Sequence, residues 1–255
     1  MTSPKAMAFD LDGTLAESKQ RVTLEMGEHL GTLLRHMPVA IMSGAGFPQF
    51  QKQFFPALPP STPLEQLYIF PDNAAQCFVY RQDTWHPQYD LAFTPTEKAH
   101  IMIVLQDALA AVGLEHPPAQ VWGERIEDRG AEIAFSPLGQ QAPLEEKEAW
   151  HKQHDAVRKK LHEELNKRLP EFANVMGGLT TIDITRKGIT KAYGVHRFSE
   201  LTGIAIPDML YVGDALQEGG NDAVVLETGI PVQAVFGPQE SASLIQKILH
   251  AQDNN

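Results

Sequence analysis

Cysteines, long apolar runs and basic residues are scarce in this sequence. One cysteine, Cys77, stands among 255 residues, so an internal disulfide framework and a thiolate zinc cluster are excluded. No apolar run approaches the roughly 18 residues that span a bilayer, and the opening MTSPKAMAFD reaches an acidic residue too early for a signal peptide. Basic residues number 21 against 32 acidic ones, for a net charge of -11, whereas proteins that bind nucleic-acid backbones are normally basic. We therefore expect a cytoplasmic protein that binds neither membranes nor nucleic acids.

The two ends of the chain carry buried strands that alternate with helices. Residues 5–9 form a short apolar run that stops at the sequence DLDGT, and residues 38–42 form a second run that stops at Ser43. Between them, residues 22–36 have apolar side chains at helical spacing. A helix over 190–202 and a strand over 209–212 continue the pattern after a long interruption. This alternation predicts an α/β fold with a Rossmann-like, doubly wound parallel sheet.

The middle of the chain has a different pattern. Residues 121–126 and 131–135 are predicted as antiparallel strands, and residues 144–169 as a long charged helix. Such a mixture is typical of an α+β unit. We therefore predict a core domain from residues 1–82 and 187–255, with residues 83–186 inserted as an α+β cap domain.

Asp10 and Asp12 follow the first predicted strand directly. A single aspartate at such a position most often caps a helix or stabilises a turn. Two of them at this spacing, followed by Gly13, can aim both carboxyl groups at one point. Such a pair can bind a hard cation or divide the work of nucleophile and general acid/base.

Other strand ends and one helix start supply complementary groups. Ser43 can offer a hydroxyl and backbone amides to a phosphate oxygen, and Lys191 opens a helix whose amides can hold the same anion. Lys187 competes with Lys191 for that role. Asp214 ends another buried strand and can complete a metal site, with Asp222 as an outer acidic partner. Each residue alone is a weak indication, but their order along the chain is a strong one.

DLDGT, the strand end at Ser43, the helix start at Lys191 and the segment GDALQEGGND together resemble the haloacid dehalogenase (HAD) superfamily, subfamily IIB. The resemblance implies that Asp10 attacks phosphorus to form an aspartyl-phosphate while Asp12 moves the proton. It also implies a Mg²⁺ ion held by Asp10, the backbone carbonyl of Asp12, and Asp214. The transferring phosphoryl group would be bound by Ser43, Gly44 and Lys191.

Within that superfamily, the segments YIFPDNAA, EDRGAEIAFSPLG and GGLTTIDITRKGITKAYG resemble the eukaryotic-type phosphomannomutases. This resemblance implies that Arg129 holds a second, non-reacting phosphate of the substrate. It further implies that Thr181 and Asp183 bind the sugar.

The sequence departs from that family at three positions where the family has arginine. Gln140, Lys147 and Lys19 stand there instead. Arginine binds phosphate as a bidentate clamp, which glutamine cannot replace and lysine replaces only as a point charge.

Three functions remain open on these residues. The leading one is a phosphomannomutase-like enzyme that acts on a phosphorylated sugar, interconverting mannose 1-phosphate and mannose 6-phosphate. The second is a sugar-phosphate phosphatase on the same scaffold, favoured by Gln140. The third is a non-catalytic binding module. The sequence leaves open whether the chain forms a homodimer through the cap domain.

Overall fold

A computed structural model describes residues 3–18 and 20–253 of the chain. The chain divides into two compact units. The larger unit consists of Met1–Asp90 and Ile189–Asn255, and the smaller unit is the intervening Leu91–Gly188.

The larger unit is built on a seven-stranded sheet of mostly parallel strands. The strands are β1 (Ala6–Asp10), β2 (Val39–Met42), β3 (Leu67–Phe70), β4 (Gln76–Arg81), β5 (Thr84–Asp90), β10 (Met209–Gly213) and β11 (Val232–Ala234). Their order is β11-β10-β1-β2-β3-β4-β5, and the first five in this order are parallel to one another. The predicted α/β class with a parallel-dominated sheet is confirmed.

Helices cover both faces of this sheet because its central strands are apolar on both sides. The helices are α1 (Leu24–Leu33), α2 (Phe47–Gln53), α5 (Lys191–Thr202) and α6 (Pro238–Asp253). Met7 and Phe9 of β1 pack into one core with α1, α2 and α6. Ala8, on the opposite face of β1, belongs to a second core that includes Val195 and Phe198 of α5. Strand β1 is therefore buried on both sides, and its carboxyl end is held rigidly.

The smaller unit is an antiparallel sheet packed against two helices. Its elements are α3 (Pro95–Val112), β6 (Ile126–Asp128), β7 (Glu132–Phe135), α4 (Leu144–Arg168), β8 (Phe172–Gly177) and β9 (Thr181–Arg186). The strand order is β6-β7-β9-β8. Its own core contains Leu105 of α3, Phe135 of β7, Leu161 of α4 and Ile184 of β9. Strand β6 begins only at Ile126, five residues later than the sequence predicts.

The boundary between the units also differs from the prediction. The predicted boundary at residues 82/83 falls inside a hairpin, because β5 pairs with β4 and so extends the larger sheet. The two turn residues, Gln82 and Asp83, have positive φ angles of 50° and 59°, which is the geometry of a tight hairpin turn. The units therefore divide at Asp90 rather than at residue 82, and at Gly188 rather than at residue 186.

No helix among the described residues is both long enough and apolar enough to cross a membrane.

Candidate active site

Three neighbouring parallel strands end at the same edge of the larger sheet. Asp10 is the last residue of β1 and pairs with Met42, the last residue of β2, so Ser43 follows beside it. On the other side, Phe9 pairs with Val212 of β10, and Asp214 comes directly after that strand. Ligands of open α/β sheets bind outside these carboxyl ends. The sheet register therefore brings the sequence-predicted residues to one place.

Asp10, Asp214 and Asp222 form a group of carboxylates. One oxygen of each lies within 4.8 Å of the corresponding oxygens of the other two. Asp10 and Asp222 are buried, whereas Asp214 is exposed. The sequence predicts Asp222 only as an outer partner, but the structure places its carboxylate inside the group.

Gly13 makes room for this group. Its φ angle is +86°, and a Cβ atom at this position would lie 2.4 Å from Oδ2 of Asp214. A side chain on residue 13 would be strained and would displace that carboxylate. The glycine of DLDGT is therefore needed both for the turn and for the approach of Asp214.

Lys191 lies between two of the carboxylates. Its Nζ donates to Oδ1 of Asp10 in a short contact and to Oδ1 of Asp222 at 2.7 Å, and its side chain is only 1% exposed. Tyr211 of β10 donates its hydroxyl to the same oxygen of Asp222 at 2.6 Å. Sequence reasoning missed Tyr211, because in the sequence it is simply one more apolar member of a buried strand.

Burial and charge set the protonation of these groups. Burial raises the pKa of Asp10 to about 7, although the Lys191 ammonium opposes the rise. For Lys191, burial alone would lower the pKa, but the carboxylates of Asp10 and Asp222 raise it above its ordinary value. Burial, and then the nearby Asp222, raises the pKa of Asp214. The buried ammonium is therefore retained, and it holds Asp10 closer to its ionised form.

The donor chemistry of the group fits a hard divalent cation. All three donors are carboxylate oxygens, which Mg²⁺ and Ca²⁺ prefer. Three carboxylates outweigh the single ammonium of Lys191 by two charges, so a divalent ion would balance the group. Asp10, Asp214 and Asp222 are therefore the residues that can hold a metal.

Asp12 and Ser43 have different surroundings. Oδ1 of Asp12 accepts a hydrogen bond of 3.0 Å from Nε2 of Gln53, the last residue of α2. The hydroxyl oxygen of Ser43, which is buried, accepts from the backbone amide of Ala45 at 3.0 Å. The loop from Ser43 through Gly44 lies against Asn73, whose backbone amide donates to the Ser43 carbonyl at 2.9 Å. Gln53 was not predicted, because nothing in its local sequence indicates contact with the DLDGT loop.

The residues predicted to bind the substrate's sugar lie on the sheet of the smaller unit. Thr181 and Asp183 are both on β9, and Asp183 pairs with Ala134 of β7. The hydroxyl of Thr181 donates to the carbonyl of Gly177 in a short contact. Burial raises the pKa of Asp183 to about 6, while the guanidinium of Arg129 opposes the rise.

Arg129 is already paired with acidic side chains. Its Nε donates to Oε2 of Glu127 at 2.7 Å, and its Nη1 donates to Oε1 of Glu132 at 2.5 Å. Nη2 reaches Oε1 of Gln140 at 3.5 Å. Sequence reasoning missed Glu132, which is buried on β7.

Two lysines stand where the resembled family has arginine. Lys147 lies in the first turn of α4. Lys19 lies outside the described residues.

Comparison with solved structures shows which fold this is. An N-terminally truncated IMP-nucleotidase of Plasmodium falciparum superposes with a TM-score of 0.68 at 17% identity, covering 97% of this chain and 71% of that one. The C-terminal domain of the trehalose-6-phosphate phosphatase of C. albicans superposes with a TM-score of 0.66 at 13% identity, covering 98% and 93%. Both have the HAD fold.

Sequence comparison is more specific. A family model of eukaryotic phosphomannomutase matches residues 26–251. A probable phosphomannomutase of Caenorhabditis elegans is 24% identical over 266 residues, covering 99% of this chain and 100% of the relative. A phosphomannomutase of Encephalitozoon cuniculi is 25% identical over 225 residues, covering 84% and 81%.

These likenesses and the residues gathered at the strand ends define an enzyme of the HAD phosphotransferase type. Within that class, the chain belongs to the eukaryotic phosphomannomutase family, whose model spans most of its length.

Proposed function

We propose that this protein transfers a phosphoryl group of a hexose phosphate through an aspartyl-phosphate on Asp10, with Mg²⁺ bound, in a phosphomannomutase-like reaction. One observation carries the proposal. Asp10 ends a central strand in contact with the buried ammonium of Lys191, and one of its carboxylate oxygens lies within 4.8 Å of oxygens of Asp214 and Asp222. Phosphoryl transfer depends mostly on positioning and on neutralising charge, and this group supplies both.

Asp10 is the nucleophile. Its carboxylate oxygen forms a bond to phosphorus while the bond from phosphorus to the leaving oxygen of the sugar breaks. Burial alone would keep Asp10 protonated near neutral pH, and Lys191 counteracts this by stabilising the ionised carboxylate. Lys191 also neutralises part of the charge on the transferring group, together with the loop of Ser43 and Gly44.

Asp12 is the general acid and base. It gives a proton to the leaving oxygen of the sugar and later removes one from the oxygen that attacks the aspartyl-phosphate. The hydrogen bond from Gln53 to Oδ1 of Asp12 orients this carboxyl group.

Asp10, the backbone carbonyl of Asp12 and Asp214 would hold Mg²⁺, with Asp222 as an outer acidic partner. When bound, Mg²⁺ supplies electrostatic stabilisation of the charge on the phosphoryl oxygens. The charges of the group support this assignment, because three carboxylates lie close together and one ammonium, that of Lys191, contacts two of them.

Thr181 and Asp183 bind hydroxyl groups of the sugar. The far end of the substrate is assigned to the remaining predicted substrate-binding residues, which are Arg129, Gln140, Lys147 and Lys19. The adjacent positions of Thr181 and Asp183 on one face of β9 support this role, because alternate residues of a strand share a face.

A second candidate is hydrolysis of the same class of substrate, in which water rather than a sugar hydroxyl takes the phosphoryl group. A specific observation favours it. Arg129 is paired with Glu127 and Glu132, and Gln140 stands beside it where another cation is expected. A mutase has to anchor a bisphosphorylated sugar in two orientations. The surface around Arg129 offers little net positive charge for binding the second phosphate.

The two candidates are distinguished by incubation with mannose 1-phosphate and Mg²⁺, with and without glucose 1,6-bisphosphate as activator. Mannose 6-phosphate formation, measured with a coupled dehydrogenase assay, supports the mutase. Inorganic phosphate release supports the phosphatase. Absence of both products across a panel of sugar phosphates would contradict the proposal, provided that the protein is folded by circular dichroism.

Two further properties stay predictions. The protein is cytoplasmic, which fractionation of cells that express it tests. The sequence leaves a homodimer through the smaller unit open, and the mass measured by analytical ultracentrifugation at micromolar concentration distinguishes a dimer from a monomer.

A further inference from the structure

The sheet of the smaller unit gathers acidic side chains around one guanidinium. Arg129 contacts Glu127 and Glu132 at 2.7 and 2.5 Å, and its pKa also responds to the charge of Asp183. Two carboxylates therefore contact the cation, and Asp183 lies in the same row of the sheet, because it and Glu127 both pair with Ala134. When all are ionised, the cluster has a net charge of about -2 by the ordinary pKa values of these groups.

The pair of Arg129 and Glu132 is fixed by the backbone that carries it. The amide of Arg129 donates to the carbonyl of Glu132 at 2.8 Å, which closes the turn between β6 and β7. Asp128 accepts from the amide of Gly130 within the same turn at 2.8 Å. The Glu132 side chain is only 3% exposed, so it cannot turn away into solvent without disrupting the sheet.

A phosphate group would have to displace one of these carboxylates. Arginine recognises phosphate with two parallel N–H groups, but Nε of Arg129 donates to Glu127 and Nη1 to Glu132. Leaving Glu132 buried without its cation is strongly unfavourable. Electrostatic repulsion from Asp183 adds to that penalty.

Uncharged hydroxyl groups suit the same surface. The carboxylates of Asp183 and Glu127 can accept hydrogen bonds from them, and Thr181 contributes a hydroxyl on the same strand as Asp183. The side chain of Gln140 is itself held by the carbonyl of Ala134 at 3.1 Å, so it is ordered before a ligand arrives.

We propose that Glu132 is a specificity-determining residue. By neutralising Arg129, it makes the sheet surface around Arg129 and Asp183 bind the uncharged hydroxyl groups of a sugar monophosphate and reject a second phosphate. The inference rests on the proposed function only in assigning this face to the substrate. It deepens the second candidate function, hydrolysis, by naming sugar monophosphates as the substrate class, because a mutase has to bind a bisphosphorylated sugar.

The test is a comparison of binding affinities, so it does not depend on turnover. Isothermal titration calorimetry of the full chain in EDTA measures the Kd for glucose 1,6-bisphosphate and for glucose 1-phosphate. In Glu132→Gln, Arg129 loses a buried anionic partner, and we expect the affinity for the bisphosphate to rise about 10-fold or more, which is the effect of one charge-assisted hydrogen bond. The affinity for the monophosphate should change less than about 3-fold.

A second variant protects the test against misfolding of the first. Glu127→Gln releases the same guanidinium from a half-exposed partner, and it should shift the bisphosphate Kd in the same direction. Glu124→Gln, in which an exposed glutamate of the same segment is changed, removes the same charge at a distance and should leave both affinities unchanged.

Two results would overturn the inference. One is a bisphosphate Kd that does not improve in either variant at Glu132 or Glu127. The other is wild-type protein that binds the bisphosphate more tightly than the monophosphate. Failure of the proposed function is a separate outcome, namely the absence of any phosphoryl transfer from sugar phosphates while these binding differences persist.

Discussion

Replacing Asp183 with asparagine should make the protein more stable and less active. Asp183 lies on β9, and burial raises its pKa to about 6. A carboxyl group with a raised pKa in the folded state retains its proton where the unfolded chain has already lost it. The free energy of unfolding of the wild-type protein therefore falls as pH rises from about 4 to about 6, and the full destabilisation is present at pH 7.

The size of this cost follows from the same shift. A rise from the ordinary 3.8 to about 6 corresponds to at most about 3 kcal/mol, since each pH unit is worth about 1.4 kcal/mol. We expect Asp183→Asn to raise the free energy of unfolding by about 1–3 kcal/mol at pH 7.5, because asparagine is similar in size and carries no charge. At pH 4.5 the gain should shrink to about 1 kcal/mol or less.

Urea denaturation at both pH values measures the difference. Asp107→Asn is the matched control, because Asp107 is an exposed carboxylate on α3 of the same unit. The same preparations should show a lower kcat/KM for a hexose phosphate in Asp183→Asn alone. A gain in stability that is equal at both pH values, or a loss of stability at pH 7.5, would refute this reasoning.

Three further predictions concern stability. Hydrogen bonds from Arg186 and from the start of α3 lower the pKa of Glu97 to about 2, so Glu97 stabilises the fold above its ordinary pKa near 4.5 and loses that effect as pH falls toward 2. Glu97→Gln should therefore lower the free energy of unfolding by about 1 kcal/mol at pH 7, measured by urea denaturation, and by little at pH 2.5. An equal loss at both pH values would contradict this. Gly213→Ala would place a Cβ atom 2.4 Å from Oδ2 of Asp222 and should lower the free energy of unfolding by about 2–3 kcal/mol, whereas a wild-type thermal midpoint would show that the group is not tightly packed. Mg²⁺ should raise the thermal midpoint of the EDTA-treated protein, and Asp214→Asn should reduce that rise; equal rises in both proteins would argue against the metal site.

The pattern of buried strands predicted the architecture of the larger unit well. Strands such as β1 and β10 are continuous apolar runs that end at chemically distinctive residues, and the parallel topology follows from the intervening helices. The sequence did not show that β5 belongs to the larger sheet, because β5 is largely exposed and polar. Its residues are held in the sheet by backbone pairing with β4, which sequence periodicity does not reveal.

The sequence predicted those residues of the candidate site that end a strand or follow it directly. Asp10, Ser43 and Asp214 are in this class. The contact of Lys191 with Asp222 could not be predicted, because it joins a helix start to a loop 31 residues away. Glu132 was missed for a related reason, since an acidic residue in a short amphipathic strand usually faces solvent.

Acid-quenched mass spectrometry of the protein after brief incubation with Mg²⁺ and a sugar phosphate tests the central claim most directly. The account predicts one added phosphoryl group on the peptide that contains Asp10, and none in Asp10→Asn or in wild-type protein kept in EDTA. A phosphoryl group on another residue, or transfer to product that continues at the wild-type rate in Asp10→Asn, would contradict it.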